Sequence, residues 1–151
     1  MAHADLQSQF LYRMTLIYTA GWSVQIGADS GGHSQHFYLA EGQCTGRIAG
    51  SFRAANHPIQ RGDGTFIPDV QGVIETSDGA TIFFDHQGYG RATPAEARPV
   101  LASGFHISDH EQYTWLNDTL AVGVGEVRPR PAGGMEVVID WFEVLWSPLP
   151  D

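Results

Sequence analysis

Alternation of apolar and polar residues recurs along most of the chain, and this period of two restricts the fold more than any other feature. Phe10, Tyr12, Met14, Leu16 and Tyr18 share one parity, which is typical of a strand with one buried face. No segment places apolar residues at helical spacing over three turns. The sequence therefore predicts an all-β protein.

Nine runs of this kind are separated by glycine-rich and proline-containing turns. The predicted strands are 10–18, 22–26, 36–45, 47–53, 65–75, 81–87, 100–107, 119–127 and 135–146. The segment 108–117 predicts one short helical turn, in which Ser108 caps the first turn and Glu111 reaches back to it. Since the open edges of so many apolar strands would aggregate, we expect a single antiparallel β-barrel of about eight to nine strands in preference to a sandwich.

The length of 151 residues suits one domain. We expect residues 1–151 to form that domain, with 1–9 as a flexible N-terminal segment. No basic stretch followed by an apolar run opens the sequence, and no apolar run reaches the length of a membrane span. Cys44 is the single cysteine and has no internal disulfide partner. These features predict a soluble, cytoplasmic protein.

Charge and composition exclude several classes of function. The eight basic residues are all arginine and face 17 acids, for a net charge of −9, so nucleic acid and anionic membranes are not expected partners. The absence of lysine removes Schiff-base chemistry, a pyridoxal phosphate anchor and the lysine of phosphate-binding loops. A lone cysteine rules out paired-cysteine zinc clusters. We therefore expect neither a cofactor nor a metal.

The densest polar group lies between a predicted strand and the loop after it. Arg53, Asn56, His57 and Arg61 fall there, where one end of a barrel would open and functional residues tend to gather. A neutral imidazole can accept a proton and a guanidinium can stabilise an oxyanion. We therefore predict His57 as a base and Arg53 as its oxyanion partner, so that His57→Ala abolishes turnover. The alternative is a loop salt bridge to a nearby aspartate.

Two further titratable residues lie in predicted strands. Asp69 follows Pro68 in an apolar run, so one of its two possible faces is the interior, and it is a second candidate base. His86 shares parity with Ile82 and Phe84, which would turn it inward as a second acid. The alternative for His86 is a ring packed and hydrogen-bonded at the rim.

Aromatic rings with a few amides suit a flat, apolar ligand. The candidate substrate-binding residues, chosen on parity and position, are Tyr38, Asn56, Tyr113, Trp115 and Asn117.

An ordered set of short motifs resembles a known family. Arg61-Gly62-Asp63-Gly64 is followed by the run at 75–82, Glu-Thr-Ser-Asp-Gly-Ala-Thr-Ile, and later by Tyr-Thr-Trp-Leu-Asn at 113–117. This order and spacing, from about Met14 to Val144, resembles domain of unknown function 3237. The resemblance implies a small antiparallel β-barrel with a pocket and a largely unassigned activity. This chain departs from the family pattern at Asn56-His57, where the family carries an acidic and then an aromatic residue.

These observations leave more than one function open. The first hypothesis is a cofactor-independent lyase, isomerase or cyclase that uses acid/base catalysis and oxyanion stabilisation on an apolar, aromatic or carbonyl-containing substrate. The second is a non-catalytic carrier of a hydrophobic small molecule. The third is an accessory protein that builds oligomers. A homodimer is the commonest assembly of small soluble chains.

Overall fold

The computed structural model describes residues 5–27, 33–91 and 98–149. Ten antiparallel strands and one 3₁₀ helix make up this part of the chain. In order they are β1 (Gln7–Ile26), β2 (His33–Gly46), β3 (Gly50–Asn56), β4 (Ile59–Gln60), β5 (Phe66–Ile67), β6 (Asp69–Thr76), β7 (Thr81–Gly90), β8 (Arg98–Ile107), the 3₁₀ helix (Glu111–Asp118), β9 (Ala121–Pro129) and β10 (Met135–Leu145). The prediction of an all-β fold with one short helical turn is confirmed.

Eight of the strands close into a ring. The order around it is β1, β2, β3, β6, β7, β8, β9 and β10, and β10 pairs with β1 to complete the barrel. The two-residue strands β4 and β5 form a second bridge from β2 to β7. The predicted closed antiparallel barrel is therefore confirmed.

The structure divides the predicted runs differently in two places, and it also adds β4 and begins β3 at Gly50 instead of residue 47. The runs 10–18 and 22–26 are one strand, because the chain passes Ala20-Gly21 through a register shift between Tyr18 and Ala20 instead of turning. The run 65–75 is divided at Pro68 into β5 and β6, since proline lacks the N–H that a continuous ladder needs.

The predicted flexible segment 1–9 also differs. Residues 7–9 pair with 143–145 of β10, and residues 1–4 lie outside the described part. The helix cap is corrected as well. His110 is the N-cap, and its ring accepts the Gln112 N–H, whereas the Ser108 hydroxyl donates to the Thr81 carbonyl.

The barrel has one filled end and one open end. The 3₁₀ helix lies against the filled end and buries Tyr113 and Leu116 there. Ile48, Ile74 and Ile82 are completely buried in the same core. The open end therefore gives access to the barrel interior.

Within the described ranges, no helix has the length and apolar character needed to cross a bilayer.

Candidate functional site

A cavity of about 320 Å³ occupies the open half of the barrel. Its volume lies at the lower end of the range for small-molecule sites. The inward-facing positions of the surrounding strands supply its wall. The lining residues are Met14, Leu16, Tyr18, Tyr38, Asn56, Pro58, Phe66, Pro68, Val70, His86, Gln87, Gly90, Arg98, Val100, Ala102, Val127, Val137, Ile139 and Trp141. Most of them are apolar, so the cavity favours a mainly apolar ligand.

His86 and Trp141 lie in the innermost part of the cavity wall, toward the filled end of the barrel. His86 is 4 % exposed, and its ring stacks on the Trp141 ring with centroids 3.8 Å apart. Gly104, opposite His86 on β8, makes room for this ring, because a Cβ at that position would lie 2.3 Å from His86 Cδ2. The stack and the glycine together fix the imidazole plane.

A buried chain of hydrogen-bonded side chains extends from His86, in the innermost part of the cavity wall, into the core. His86 Nε2 lies 3.4 Å from His106 Nε2, and the Tyr12 hydroxyl lies 2.7 Å from the same His106 nitrogen. His106 Nδ1 and the Trp141 indole N–H are buried, and neither has a hydrogen-bond partner among the described residues. Unpaired buried polar atoms lower the free energy of unfolding, so these atoms make the core less stable than aliphatic side chains in the same positions would.

Burial determines the protonation of this chain. The pKa of His86 is lowered well below its ordinary value, chiefly by burial and further by His106. Burial lowers the pKa of His106 to about 4. It also raises the pKa of the Tyr12 phenol. Both imidazoles are therefore neutral at pH 7, and Tyr12 keeps its proton.

Tyrosine hydroxyls and one amide are placed nearer the cavity mouth. The Asn56 side chain, 3 % exposed, donates to the Tyr18 hydroxyl at 2.8 Å and accepts the Asp69 N–H at 3.1 Å. The Tyr18 and Tyr38 rings are 4.9 Å apart, and the Tyr38 hydroxyl lies 3.0 Å from His36 Nδ1. Because Tyr18 accepts from Asn56, its own hydrogen is available to a ligand.

The pKa of Tyr18 is raised, and burial of its hydroxyl end is the largest cause. The residue as a whole is 44 % exposed, because part of the ring faces solvent at the mouth. The phenol therefore stays protonated and acts as a donor.

Three of the predicted catalytic residues lie outside the cavity. Arg53 is on the outer face of β3 and pairs with Glu75 at 2.7 Å. His57 is exposed, and its ring lies 4.6 Å from the Phe37 ring. Asp69 is on the outer side of β6, and Val70 takes the inward position. One buried Asp69 oxygen has no hydrogen-bond partner within the part of the chain that the structure describes. Arg53, His57 and Asp69 therefore do not line the cavity, because the alternation of inward and outward positions along β3, continued to residue 57, and along β6 turns them outward.

The remaining predicted residues are divided between the two ends of the barrel. His86, Tyr38 and Asn56 line the cavity. Tyr113 and Asn117 are in the 3₁₀ helix, where the Tyr113 hydroxyl donates to Asp78 at 2.9 Å and the Asn117 side chain bonds the backbone of Ser108.

Trp115 is in the same helix. Its indole N–H donates to the Gln112 carbonyl, and the Arg47 guanidinium lies 4.2 Å from its ring centroid. These three helix residues lie at the filled end of the barrel and do not line the cavity.

Four residues of the site were not predicted from the sequence: Tyr12, Tyr18, His106 and Trp141. The parity of each was visible in its strand, and His106 shares the face of Val100 and Ala102. The pairing of Tyr12 with Trp141 across β1 and β10 was not visible, because it depends on closure of the barrel. Over the described ranges, no group of three or more histidine, cysteine, aspartate or glutamate residues is placed to hold a metal ion.

Comparison with known proteins identifies the family. Residues 6–144 match the family described as "Protein of unknown function (DUF3237)". The chain belongs to this family. Among curated proteins, none matches it.

Several solved structures share the fold of this DUF3237 protein. A β-barrel-like protein from Acinetobacter baumannii AYE superposes with a TM-score of 0.78 at 21 % identity, over 94 % of this chain and 98 % of the other. A conserved protein of unknown function from Rhodopseudomonas palustris gives 0.74 at 22 %, over 94 % and 99 %. A protein described as an enzyme from Penicillium herquei gives 0.70 at 18 %, over 94 % and 96 %. At these identities the similarity establishes the fold.

Proposed function

We propose that this DUF3237 protein is a cofactor-independent enzyme that moves a proton on a neutral, mainly apolar carbonyl or phenolic substrate held in the barrel cavity. The observation that carries the proposal is a buried pair of histidines, His86 in the cavity wall and His106 behind it in the core, with Nε2 atoms 3.4 Å apart. Perturbed titratable groups inside a cleft are typical of sites that perform acid/base chemistry. A fold relative described as an enzyme is compatible with this proposal.

His86 is the proposed proton acceptor. An imidazole that is neutral at pH 7 is ready to take a proton, and the stack on Trp141 holds its ring in one orientation. The burial that keeps His86 neutral also weakens it as a base. The proposed substrate therefore carries an acidic proton, such as a phenol or a carbon next to a carbonyl group.

Tyr18 is the proposed stabiliser of the developing oxyanion. The Asn56 amide already donates to the Tyr18 oxygen at 2.8 Å, which orients the phenol and makes its O–H a better donor. In an isomerisation, His86 removes the proton from carbon, the substrate oxygen takes the charge while accepting a hydrogen bond, and the protonated His86 returns the proton to a second carbon. No net proton or electron is gained or lost.

Proton exchange at carbon tests this proposal without knowledge of the natural substrate. The probe is 2-tetralone, a small neutral aromatic ketone, in D₂O, and deuterium incorporation next to its carbonyl group is followed by ¹H NMR. We expect the wild-type protein to accelerate exchange, His86→Leu to return it to the buffer rate, and His57→Ala, a matched control on the outer surface, to leave it unchanged. Exchange that remains faster than the buffer rate in His86→Leu overturns the proposal.

A carrier is the second candidate function, favoured by the predominance of apolar side chains in the cavity wall. The same probe separates the two. A carrier binds 2-tetralone, as seen by quenching of tryptophan fluorescence from Trp141, without accelerating its exchange. That outcome contradicts the enzyme and supports the carrier.

A further inference from the structure

A β-hairpin arm projects from the barrel next to the cavity mouth. Beyond Leu16, β1 no longer pairs with β10, and over the described ranges it pairs only with β2. All residues from 21 to 27 are exposed. We define the arm as residues 20–26 of β1 with 34–39 of β2. Its β2 side is covered by β4 and by the His36 N–H bond to the Pro58 carbonyl, so the β1 side is its open edge.

The open edge runs from residue 17 to residue 26. These ten residues span about 33 Å at the rise of an extended strand. Strand edges of this length present unpaired N–H and C=O groups, and proteins usually protect them with charged side chains, proline or bulges. Residues 17–26 contain no charged residue and no proline, and the bulge after Tyr18 lies at the base of the arm. The edge is therefore able to pair with another strand.

One solvent-exposed face of the arm is apolar, whereas a strand face in contact with water is usually polar. The face turned away from the cavity side carries Trp22, Val24 and Ile26, which are 58 %, 65 % and 54 % exposed. Trp22 packs on Phe37 of β2, with ring centroids 5.9 Å apart. The opposite face carries Ser23, whose hydroxyl bonds His36. An exposed apolar face beside an open edge is typical of an interaction surface.

We propose that the arm is an interface with a second copy of this chain, formed by antiparallel pairing of the two β1 edges about a twofold axis. Such a contact satisfies two open edges at once, because the same surface serves both copies. It also joins the Trp22, Val24 and Ile26 faces of the two copies into one apolar surface.

Charge favours a second copy over other occupants. The chain has a net charge of −9, and neither 17–27 nor 34–40 contains an aspartate, glutamate or arginine. An anionic membrane would repel the chain, and the arm has no cation to attract it. Two copies of the chain meet through the arm without opposing any charged side chain on either arm.

The mass of the protein in solution tests the interface. Sedimentation equilibrium of the wild-type protein at micromolar concentration is expected to give twice the chain mass of 16.5 kDa. The double variant Trp22→Lys/Val24→Lys is expected to give the single mass. Phe105→Lys is the matched control, since Phe105 is 63 % exposed on the outer face of β8, and it is expected to remain dimeric.

A wild-type protein with the single mass overturns the proposal. So does a dimer that dissociates in Phe105→Lys but not in the double variant. If the double variant does not fold, hydrogen exchange of the wild type decides: amides of 17–26 that do not bond to β2 are protected in a dimer and lose protection on dilution. Exchange of these amides that is fast at every concentration contradicts the interface. These outcomes do not depend on whether the cavity is catalytic.

Discussion

His86 Nε2 lies 3.4 Å from His106 Nε2 in the barrel interior, and within the described residues neither ring pairs with a carboxylate. Two imidazoles in that position cannot both be charged without strong repulsion and desolvation. The pair therefore links the stability of the fold to pH.

The first prediction concerns stability between pH 7 and pH 4. The folded-state pKa of His106 is about 4, below the ordinary value near 6.5, and that of His86 is also lowered. Well above pH 6.5 both residues are neutral in the folded and unfolded states. As pH falls, the unfolded state binds protons first, so the free energy of unfolding decreases. For His106 alone the loss is on the order of 3 kcal/mol.

Urea unfolding at a series of pH values measures this loss. The carboxyls with lowered pKa, such as Asp63 and Asp140, lose their contribution mainly below pH 4, so the histidine effect is separated from theirs. His86→Phe, which keeps a ring against Trp141, is expected to show a smaller decrease. A wild-type stability that is flat from pH 7 to pH 4.5 would contradict the neutral pair.

Tyr12→Phe is predicted to destabilise the protein by about 1–3 kcal/mol, because it removes the hydroxyl 2.7 Å from His106 Nε2 and leaves that buried nitrogen without this partner. Thermal or urea unfolding gives the magnitude. The ¹⁵N shifts of the His106 ring are expected to change in the same variant. Unchanged ring shifts would mean that Tyr12 does not hold His106.

Arg53→Ala and His57→Ala are predicted to leave cavity binding unchanged and to alter stability by less than about 0.5 kcal/mol each. Arg53 is on the outer face, in an exposed pair with Glu75, and exposed pairs contribute little. Calorimetric titration with 2-tetralone checks the binding. A large loss of affinity in either variant would show that the substituted residue contributes to ligand binding, contrary to this prediction.

Asn117→Ala is predicted to destabilise the filled end by about 1–2 kcal/mol while leaving ligand binding unchanged. The side chain accepts the Ser108 N–H at 2.8 Å and donates to the Ser108 carbonyl at 3.0 Å, and both bonds are lost in the variant. Unfolding and titration of the same sample separate the two effects. Loss of ligand binding in Asn117→Ala with unchanged stability would contradict the structural role of Asn117 and indicate a role in binding.

The barrel was predictable from the sequence because alternation is a local property. The inward parity of His86 followed from Ile82 and Phe84 in the same strand. By contrast, the loop cluster around Arg53 and His57 gave no parity signal strong enough to tell the outer face from the cavity. The chain from Tyr12 through His106 to His86 depends on strand pairs formed only when β1, β7, β8 and β10 close the ring. The register between strands that are distant in sequence cannot be predicted from the residues of either strand alone.

An NMR titration of the histidine side chains with 2-tetralone at pH 7 tests the neutral histidine pair and its place at the cavity together. Both His86 and His106 are expected to show the ¹⁵N shifts of neutral imidazole before ligand is added, the His86 shifts are expected to change most on binding, and those of His57 are expected to stay unchanged. Protonated His86 at pH 7, or a titration in which the His57 shifts change while those of His86 do not, would contradict this expectation.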